Sequence, residues 1–269
     1  MPNRVSPTHQ YEFRSQRIRP VSEMDLLEAS LLFAELAKVA YFEFDDVEPI
    51  VRQIGIRQVD FYDRDGAQTY RFENEHDLIV VCRGTEPDEV NDVKADVNVL
   101  SVAAETVGRV HRGFKSETDD IWPQIEQSIG RNQKPLWFAG HSLGGAMATI
   151  CAGRCFLSDI AAVPSGLYTF GSPRVGDRRY INYCDIKHYR WVNNNDIVPR
   201  LPPTWLGYRH AAEELYINTV GKLARVRGLE RTLDRLRGLA HSSLRLRVDY
   251  LSDHPIDRYI EQIAGMQSD

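Results

Sequence analysis

The segment Phe138–Ala146 constrains the fold of this chain more than any other part of the sequence. It reads FAGHSLGGA and contains the pattern Gly-x-Ser-x-Gly, with Ser142 at its centre. An apolar run precedes the pattern, and a run of small and apolar residues of helical character follows it. This order is typical of a strand, a sharp turn and a helix, in which the turn lifts one serine above the edge of a sheet. We therefore predict a strand over 134–140 and a helix over 143–157.

The two glycines of the pattern have a steric reason. In such a turn Ser142 adopts a strained backbone conformation, and a β-carbon at Gly140 or Gly144 would clash with the neighbouring strand and helix. A chain of this length also matches Gly-x-Ser-x-Gly by chance fairly often, and a chance match would carry no function. The flanking strand and helix patterns favour a hydrolase over a chance match.

Strand and helix patterns alternate along the rest of the chain. Apolar residues at helical spacing follow a helix cap at Ser22 and Asp25, and they recur over 115–130. The strand patterns lie at 56–63, 68–74, 76–82, 134–140, 166–171 and 187–192. Strands that alternate with helices predict an α/β fold with a mostly parallel central sheet, covered by helices on both faces. We expect a polar arm over 1–20 and a single domain over 21–269.

Charge and hydropathy exclude several classes of protein. The net charge of −5 gives no general attraction to nucleic acid. No apolar stretch approaches the roughly 20 residues that span a bilayer, and the first ten residues contain no apolar signal-peptide core. We expect a cytoplasmic protein, with export by a route that needs no cleaved signal as the alternative.

The cysteines are expected to be buried free thiols. Cys82 lies in an apolar strand pattern, and Cys151 and Cys155 share one helix four residues apart. With Cys184, they number only four in the whole chain. These positions favour free thiols over disulfides or metal ligands.

The segment 222–237 is basic, and its apolar residues recur at helical spacing. Six lysines and arginines outnumber Glu230 and Asp234 there. A basic amphipathic helix can rest on an anionic membrane or cover a site as a flap. The alternative is an ordinary surface helix with its charges in water. Gly228 interrupts the amphipathic pattern and therefore favours this alternative.

A nucleophilic serine needs a histidine to take its proton and a carboxylate to orient that histidine. In hydrolases with this turn, the acid and then the histidine follow the serine along the chain. The acid should come just after a strand, at the edge where the carboxyl ends of parallel strands meet. Asp196 fits best, because it follows the strand pattern 187–192 and a turn-forming run of asparagines. Its rivals are Asp177, which resembles a surface turn or helix cap, and Asp185, which precedes the strand.

The histidines beyond Ser142 are His188, His210, His241 and His254. His254 lies directly before Pro255, which would occupy the first turn of the terminal helix and leave the histidine free to reach sideways. His210 is too close to Asp196 in sequence to approach from an independent loop, and His241 adjoins a basic stretch. We predict His254 as the base, against the alternative of a structural histidine.

These segments resemble the class 3 lipases. The matching motifs, in the order of the family, are Val80–Thr85, Val110–Phe114, Gly140–Gly145, Gly171–Gly176, Asn195–Pro199, and Asp253–His254 with Tyr259. The resemblance implies an α/β-hydrolase fold with Ser142 as nucleophile, Asp196 as acid and His254 as base. It also implies an oxyanion hole made by the backbone N–H groups of Thr85 and Leu143. The alternative for Thr85 is a simple turn at the end of a strand.

In this family a lid lies between the first two motifs, which here means residues 88–109. Residues 92–97 read DVKADV, where relatives often show Asp-Trp-x-x-Asp-Leu. The missing tryptophan leaves a less aromatic cover, so we do not expect strong interfacial activation. The basic segment 222–237 is a second departure from the family pattern.

The resemblance implies a lipase that cleaves acylglycerols through a Ser-His-Asp acyl-enzyme mechanism and needs no metal or organic cofactor. The alternatives among hydrolases are a phospholipase A1 and a general carboxylesterase. A catalytically silent lipase-like binding protein is the alternative from another class, although such proteins normally lose a member of the triad. The expected partners are an ester lipid substrate and, by peripheral contact, a membrane or lipid interface. Nucleic acid is not an expected partner.

Overall fold

The computed structural model of this chain describes residues 11–15, 19–84, 100–158, 160, 162–224 and 253–267. The α-helices in this part of the chain are α1 (Leu26–Val39), α2 (Phe44–Arg52), α3 (Arg112–Ile129), α4 (Leu143–Leu157), α5 (Arg178–Tyr183) and α6 (Ile256–Gln267). The strands are β1 (Gln58–Arg64), β2 (Ala67–Glu73), β3 (Leu78–Cys82), β4 (Ser101–Ala103), β5 (Arg109–His111), β6 (Leu136–His141), β7 (Pro164–Phe170), β8 (Gly176–Asp177), β9 (His188–Asn193), β10 (Tyr208–Arg209), β11 (Glu214–Ile217) and β12 (Leu223–Ala224). Short 3-10 helices cover Val21–Glu23, Val198–Arg200 and Thr204–Leu206.

Within the described residues, eight strands form the central sheet, in the order β1-β2-β3-β6-β7-β9-β11-β12. The pairs from β3 through β6, β7 and β9 to β11 are parallel. The pairs at the two ends of the sheet, β1–β2, β2–β3 and β11–β12, are antiparallel. This arrangement confirms the predicted mostly parallel sheet. It also brings the carboxyl ends of β3, β6, β7 and β9 to one edge.

Helices cover both faces of the sheet. On one face α1 packs against α6, and α1 also contacts β3, β6 and β7. The buried rings of Phe33, Tyr168 and Trp191 belong to the core on this side, and the Trp191 indole donates a 2.9 Å hydrogen bond to Ser30. On the other face α3 packs against α4, and their apolar side chains meet those of β3 and β6. The helices on both faces exclude water from the sheet. The sheet therefore forms a rigid support for the residues at its carboxyl edge.

Local hydrogen bonds shift some of the predicted boundaries. Asp25 caps α1 as predicted, and its partner in a reciprocal capping box is Glu28. The third predicted strand begins at Leu78 rather than at 76, because the Asn74 side chain accepts the backbone N–H groups of His76 and Asp77 and forms a turn. Helix α3 begins at Arg112 rather than at 115, with the His111 side chain as its N-cap.

A second, smaller sheet, which the sequence did not predict, has the order β10-β8-β5-β4 among the described residues. Strand β4 lies in the second part of the predicted lid over 88–109, and strand β5 begins at the last residue of that range. Residues 88–99 of that lid lie outside the described residues.

The sequence predicts a basic helix over 222–237, but the first residues of this segment are not helical. Leu223 and Ala224 form β12, because they pair in antiparallel register with Ile217 and Tyr216 of β11. Residues 225–237 lie outside the described residues. In the described part of the chain, no helix has both the length and the apolar character needed to cross a membrane.

Candidate active site

Ser142 stands at a sharp turn between β6 and α4. Its backbone has φ of 55° and ψ of −129°, a conformation that a residue with a side chain adopts only under strain of about 1–3 kcal/mol. A β-carbon at Gly140 would come within 2.3 Å of the Gly144 carbonyl oxygen, and one at Gly144 within 2.2 Å of the Cys82 carbonyl oxygen. The steric reason for both glycines is therefore confirmed, since the turn packs against its own helix and against the end of β3.

Ser142, His254 and Asp196 form one continuous hydrogen-bonded chain. The distance from Ser142 Oγ to His254 Nε2 is 2.8 Å, and the distance from His254 Nδ1 to Asp196 Oδ2 is 2.9 Å. Because a carboxylate oxygen accepts, Nδ1 carries the proton of the neutral ring and Nε2 accepts the serine hydroxyl. The exposed fractions are 3% for Ser142, 5% for His254 and 0% for Asp196, so the three polar groups satisfy one another away from bulk water.

The rival residues lie elsewhere. The Asp177 carboxylate accepts the Tyr180 N–H and caps α5, as a helix-capping residue would. Asp185 is exposed in the connection before β9. His188 is hydrogen-bonded to Thr169, and His210 Nε2 donates to the Pro199 carbonyl. His241 lies outside the described residues.

The Asp196 carboxylate accepts from two donors besides His254. The Val198 N–H donates to Asp196 Oδ1 at 2.9 Å, and the Tyr259 hydroxyl donates to Asp196 Oδ2 at 2.6 Å. The Tyr259 oxygen in turn accepts the Asn193 N–H at 3.1 Å. Burial, followed by the negative charge of Asp196, raises the pKa of Tyr259 well above its ordinary value, so the phenol remains a donor. Helix α6 is thereby fastened to the acid loop.

The loops that carry Asp196 and His254 also bind each other directly. The Asp253 carboxylate accepts the Asn195 N–H at 3.2 Å, and the Asp253 carbonyl accepts the Asn193 side-chain amide at 3.0 Å. Gly171, at the end of β7, has φ of 61°, and a β-carbon there would lie 2.7 Å from Asp196 Oδ2 and 3.0 Å from the His254 ring. A glycine is required at this position on both counts.

A second histidine packs beside His254. The ring centroids of His141 and His254 are 4.7 Å apart, and His141 Nε2 lies 2.8 Å from the His254 carbonyl oxygen. The Tyr41 hydroxyl lies 2.9 Å from His141 Nδ1. The sequence alone predicts no role for His141 or Tyr41. The sequence signal that could have indicated a role for His141 is its position directly before the serine of the Gly-x-Ser-x-Gly pattern.

Leu143 is the first residue of α4, where a backbone N–H has no acceptor within the helix. Thr85, the other predicted oxyanion-hole residue, lies outside the described residues. Its neighbour Gly84 is described, and a β-carbon at Gly84 would come within 3.4 Å of Ser142 Cβ and 2.6 Å of the His141 carbonyl oxygen. The end of β3 therefore passes directly beside Ser142. The oxyanion-hole assignment stays a prediction.

All four cysteines are free and buried, which confirms the expectation of free thiols. Burial raises the pKa of Cys155 to about 12 and that of Cys184 to about 11, so both remain protonated at neutral pH. Within the described ranges, no group of three or more histidine, cysteine, aspartate or glutamate residues could hold a metal ion.

Comparison with known proteins finds similarity to lipases. The family model for lipase (class 3) matches residues 79–205, a range that includes Ser142 and Asp196. A lipase of Rhizomucor miehei is 34% identical over 163 residues, which are 56% of this chain and 44% of that protein. A secreted mono- and diacylglycerol lipase 1 of Fusarium solani is 35% identical over 117 residues, which are 40% of this chain and 34% of that protein. The matches thus span less than half of either relative.

The solved structure of the Rhizomucor miehei triacylglyceride lipase has the same fold. It superposes with a TM-score of 0.61 at 25% sequence identity, and the match covers 70% of this chain and 78% of that chain. The predicted α/β-hydrolase fold, with its mostly parallel central sheet, is confirmed.

Proposed function

We propose that this chain, whose residues 79–205 match the family model for lipase (class 3), is a serine hydrolase that cleaves carboxylic esters of lipids. The observation that carries the proposal is the continuous chain from Ser142 Oγ through His254 to Asp196, with contacts of 2.8 and 2.9 Å. Distances in this range allow proton transfer from the serine to the imidazole. The Asp196 carboxylate fixes the ring in the tautomer that accepts the proton.

The reaction is an acyl transfer in two steps. Ser142 Oγ attacks the ester carbonyl carbon while His254 Nε2 takes the hydroxyl proton, and the Leu143 N–H stabilises the resulting oxyanion. Collapse of this intermediate breaks the bond to the alcohol, which leaves with the proton from His254. Water then attacks the acyl-enzyme with the same histidine as base and releases the carboxylic acid. Thr85 is the proposed second oxyanion donor.

The proposed substrates are acylglycerols. The names of the relatives support this proposal, since they include a triacylglyceride lipase and a mono- and diacylglycerol lipase. A phospholipase A1 and a general carboxylesterase use the same triad chemistry, so they remain the alternatives. The triad does not distinguish them, because acid, base and nucleophile act on the ester group that all three substrate classes share.

We further propose that the protein contacts lipid at the tip of the connection that follows Asp196. The 3-10 helix Thr204–Leu206 presents Trp205, with an exposed fraction of 83%, and Leu206, with 43%. Tryptophan is favoured where an apolar surface meets water, as at the boundary of a bilayer. The same connection carries the acid, so lipid bound at this tip lies next to the loop that holds Asp196.

A substrate panel tests the proposal. We expect purified protein to hydrolyse emulsified tri-, di- and monoacylglycerols, and we expect Ser142→Ala to abolish this turnover without loss of folding. The exposed Ser116 in α3 provides the matched control, and Ser116→Ala should retain full activity.

The other outcomes discriminate among the alternatives. Faster release of fatty acid from phosphatidylcholine would indicate a phospholipase A1, and equal rates on soluble p-nitrophenyl esters and emulsions would indicate a general carboxylesterase. No hydrolysis of any ester by folded wild-type protein would indicate a silent binding protein. That last result would overturn the proposed function.

A further inference from the structure

His141 is a buried histidine that the acyl-transfer mechanism does not use. It precedes Ser142 directly, its exposed fraction is 6%, and its ring lies 4.7 Å from the ring of His254 at an angle of 31°. It therefore covers one side of the base, while Asp196 and Ser142 occupy the two ring nitrogens of the base. His254 acquires a positive charge during each turnover. The charge state of the neighbouring His141 ring therefore affects how stable that charge is.

The hydrogen bonds of His141 have only one consistent direction in the neutral ring. The His254 carbonyl oxygen can only accept, so His141 Nε2 donates to it at 2.8 Å. His141 Nδ1 then has a lone pair, and the Tyr41 hydroxyl donates to it at 2.9 Å. The His254 carbonyl thus sets the tautomer of His141, and the Tyr41 hydroxyl satisfies the ring nitrogen that remains.

The surroundings keep His141 uncharged. Burial, and next the nearby His254, lower the pKa of His141 to about 3. The other ionisable groups close to the two rings are Asp196, Asp253 and Tyr259. Beyond them, the Arg83 guanidinium lies 5.7 Å from the centre of the Tyr41 ring. At any pH at which His254 acts as a base, it faces a neutral ring rather than a second cation.

We propose that His141, whose second ring nitrogen accepts the Tyr41 hydroxyl, is a positioning residue for the catalytic base His254. It holds the main chain of His254 through the carbonyl oxygen, and its neutral ring stabilises the imidazolium that forms when Ser142 is deprotonated. A polar ring 4.7 Å from the imidazolium accommodates its charge better than an aliphatic side chain would, because apolar surroundings disfavour the charged form. This inference rests on the proposed hydrolase function.

Three substitutions separate the parts of the proposal. His141→Leu removes both the donor and the ring, and His141→Gln retains a donor near the position of Nε2. Tyr41→Phe removes only the hydroxyl that donates to His141 Nδ1. We expect kcat to fall by about 10- to 100-fold in His141→Leu, on the order of one or two buried hydrogen bonds, with KM unchanged. His141→Gln should recover part of this loss, and Tyr41→Phe should lose less than His141→Leu.

The pH profile provides a readout that a purely structural role would not move. Without the neutral ring the imidazolium of His254 is less stable, so the acid limb of kcat/KM should move to lower pH in His141→Leu. The matched control is His76→Leu, at a half-exposed histidine before β3, at the end of that strand away from the site. It should leave both kcat and the pH profile unchanged.

A measurement that needs no turnover keeps the inference distinct from the proposed function. NMR titration of the His254 ring should give a lower pKa in His141→Leu, or in His141→Gln where the leucine variant does not fold, than in the wild type. If wild-type protein hydrolyses esters and Ser142→Ala does not, the proposed function holds whatever these variants do. An unchanged His254 titration and an unchanged kcat in a folded His141 variant would overturn the inference, and so would a loss confined to KM.

Discussion

The hydroxyl of Tyr259 donates a 2.6 Å hydrogen bond to Oδ2 of Asp196, the oxygen that also accepts the ring proton of His254. The two residues are 63 positions apart in sequence. Because Tyr259 lies in α6 and His254 directly precedes that helix, this contact fastens the helix and the base to the acid loop at once. The geometry of the triad therefore depends on how α6 docks against α1 and β9.

Tyr259→Phe is expected to weaken this docking. The substitution removes the donor to Asp196 and the acceptor of the Asn193 N–H, and leaving buried groups unsatisfied costs about 1–3 kcal/mol. We expect the free energy of unfolding in urea to fall by that amount, and kcat to fall about tenfold because His254 is less well oriented. Tyr183→Phe, at a residue that is 52% exposed, should change stability by less than about 0.5 kcal/mol. Equal stability of Tyr259→Phe and the wild type would contradict the docking role.

Gly144→Ala is expected to disrupt the turn at Ser142. Its β-carbon would lie 2.2 Å from the Cys82 carbonyl and 2.7 Å from the backbone of Arg83, neither of which is the end of a flexible side chain. We expect destabilisation of more than about 3 kcal/mol, or failure to fold, measured by thermal and urea unfolding.

The matched control for this substitution is Gly265→Ala in α6, where an added β-carbon would meet no other part of the described chain within 4 Å, its own helix backbone aside. Alanine is favoured over glycine in a helix, so this variant should gain about 0.5–1 kcal/mol. Comparable stabilities for the two variants would show that close packing does not explain the glycine at 144.

The sequence predicted the parts of the fold and site that local patterns encode. The strand, the turn and the helix around Ser142 follow from apolar periodicity and from glycines with a steric role. The location of the acid just after a strand follows from the direction of parallel strands. Asp196 could be selected over its rivals because it follows a strand pattern and a turn-forming run, whereas Asp177 resembles a helix cap and Asp185 precedes the strand. The structure brings it into contact with His254.

The unpredicted parts depend on contacts between distant segments. The bond between Tyr41 and His141 joins residues 100 positions apart, and neither residue carries a local pattern that indicates the pairing. The small sheet was missed because β8 and β10 have two residues each, too few for an alternating pattern. Helix α2 was missed because nine residues with a proline at Pro49 give a weak helical signal.

The neutral state of His141 predicts a specific dependence of stability on pH. Its pKa is about 3 in the folded protein and about 6.5 in an unfolded chain, so the unfolded chain binds the proton first as the pH falls. The contribution to stability is therefore complete above pH 6.5, and it is lost progressively as the pH decreases from 6.5 towards 3. At pH 5 the expected loss is about 2 kcal/mol.

Urea unfolding at pH 7.5 and pH 5.0 measures this contribution. The difference in stability between the two pH values should be about 2 kcal/mol smaller in His141→Gln than in the wild type. His76→Gln, at a half-exposed histidine, should retain the wild-type difference. If His141→Gln keeps the full difference, His141 is not the group that is held neutral.

Trp205 should report directly on contact with lipid. The chain has four tryptophans, and Trp122, Trp137 and Trp191 have exposed fractions of 8%, 6% and 0%, whereas Trp205 is 83% exposed. If the tip at Thr204–Leu206 enters a lipid surface, the indole of Trp205 leaves water and its emission moves to shorter wavelength. Titration with phosphatidylcholine vesicles, with and without phosphatidylglycerol, should show this shift in the wild type and not in Trp205→Phe.

Loss of the side chain should also weaken binding to vesicles. Transfer of a large apolar side chain from water contributes about 1.5–3 kcal/mol, so Trp205→Ala should bind about 10- to 100-fold more weakly in a sedimentation assay. The matched control is Val163→Ala, which alters a 66% exposed apolar residue just before β7, at the opposite edge of the sheet from Ser142. It should bind as the wild type does. Equal binding of Trp205→Ala and the wild type, with no change in emission on vesicles, would place the lipid contact somewhere other than this tip.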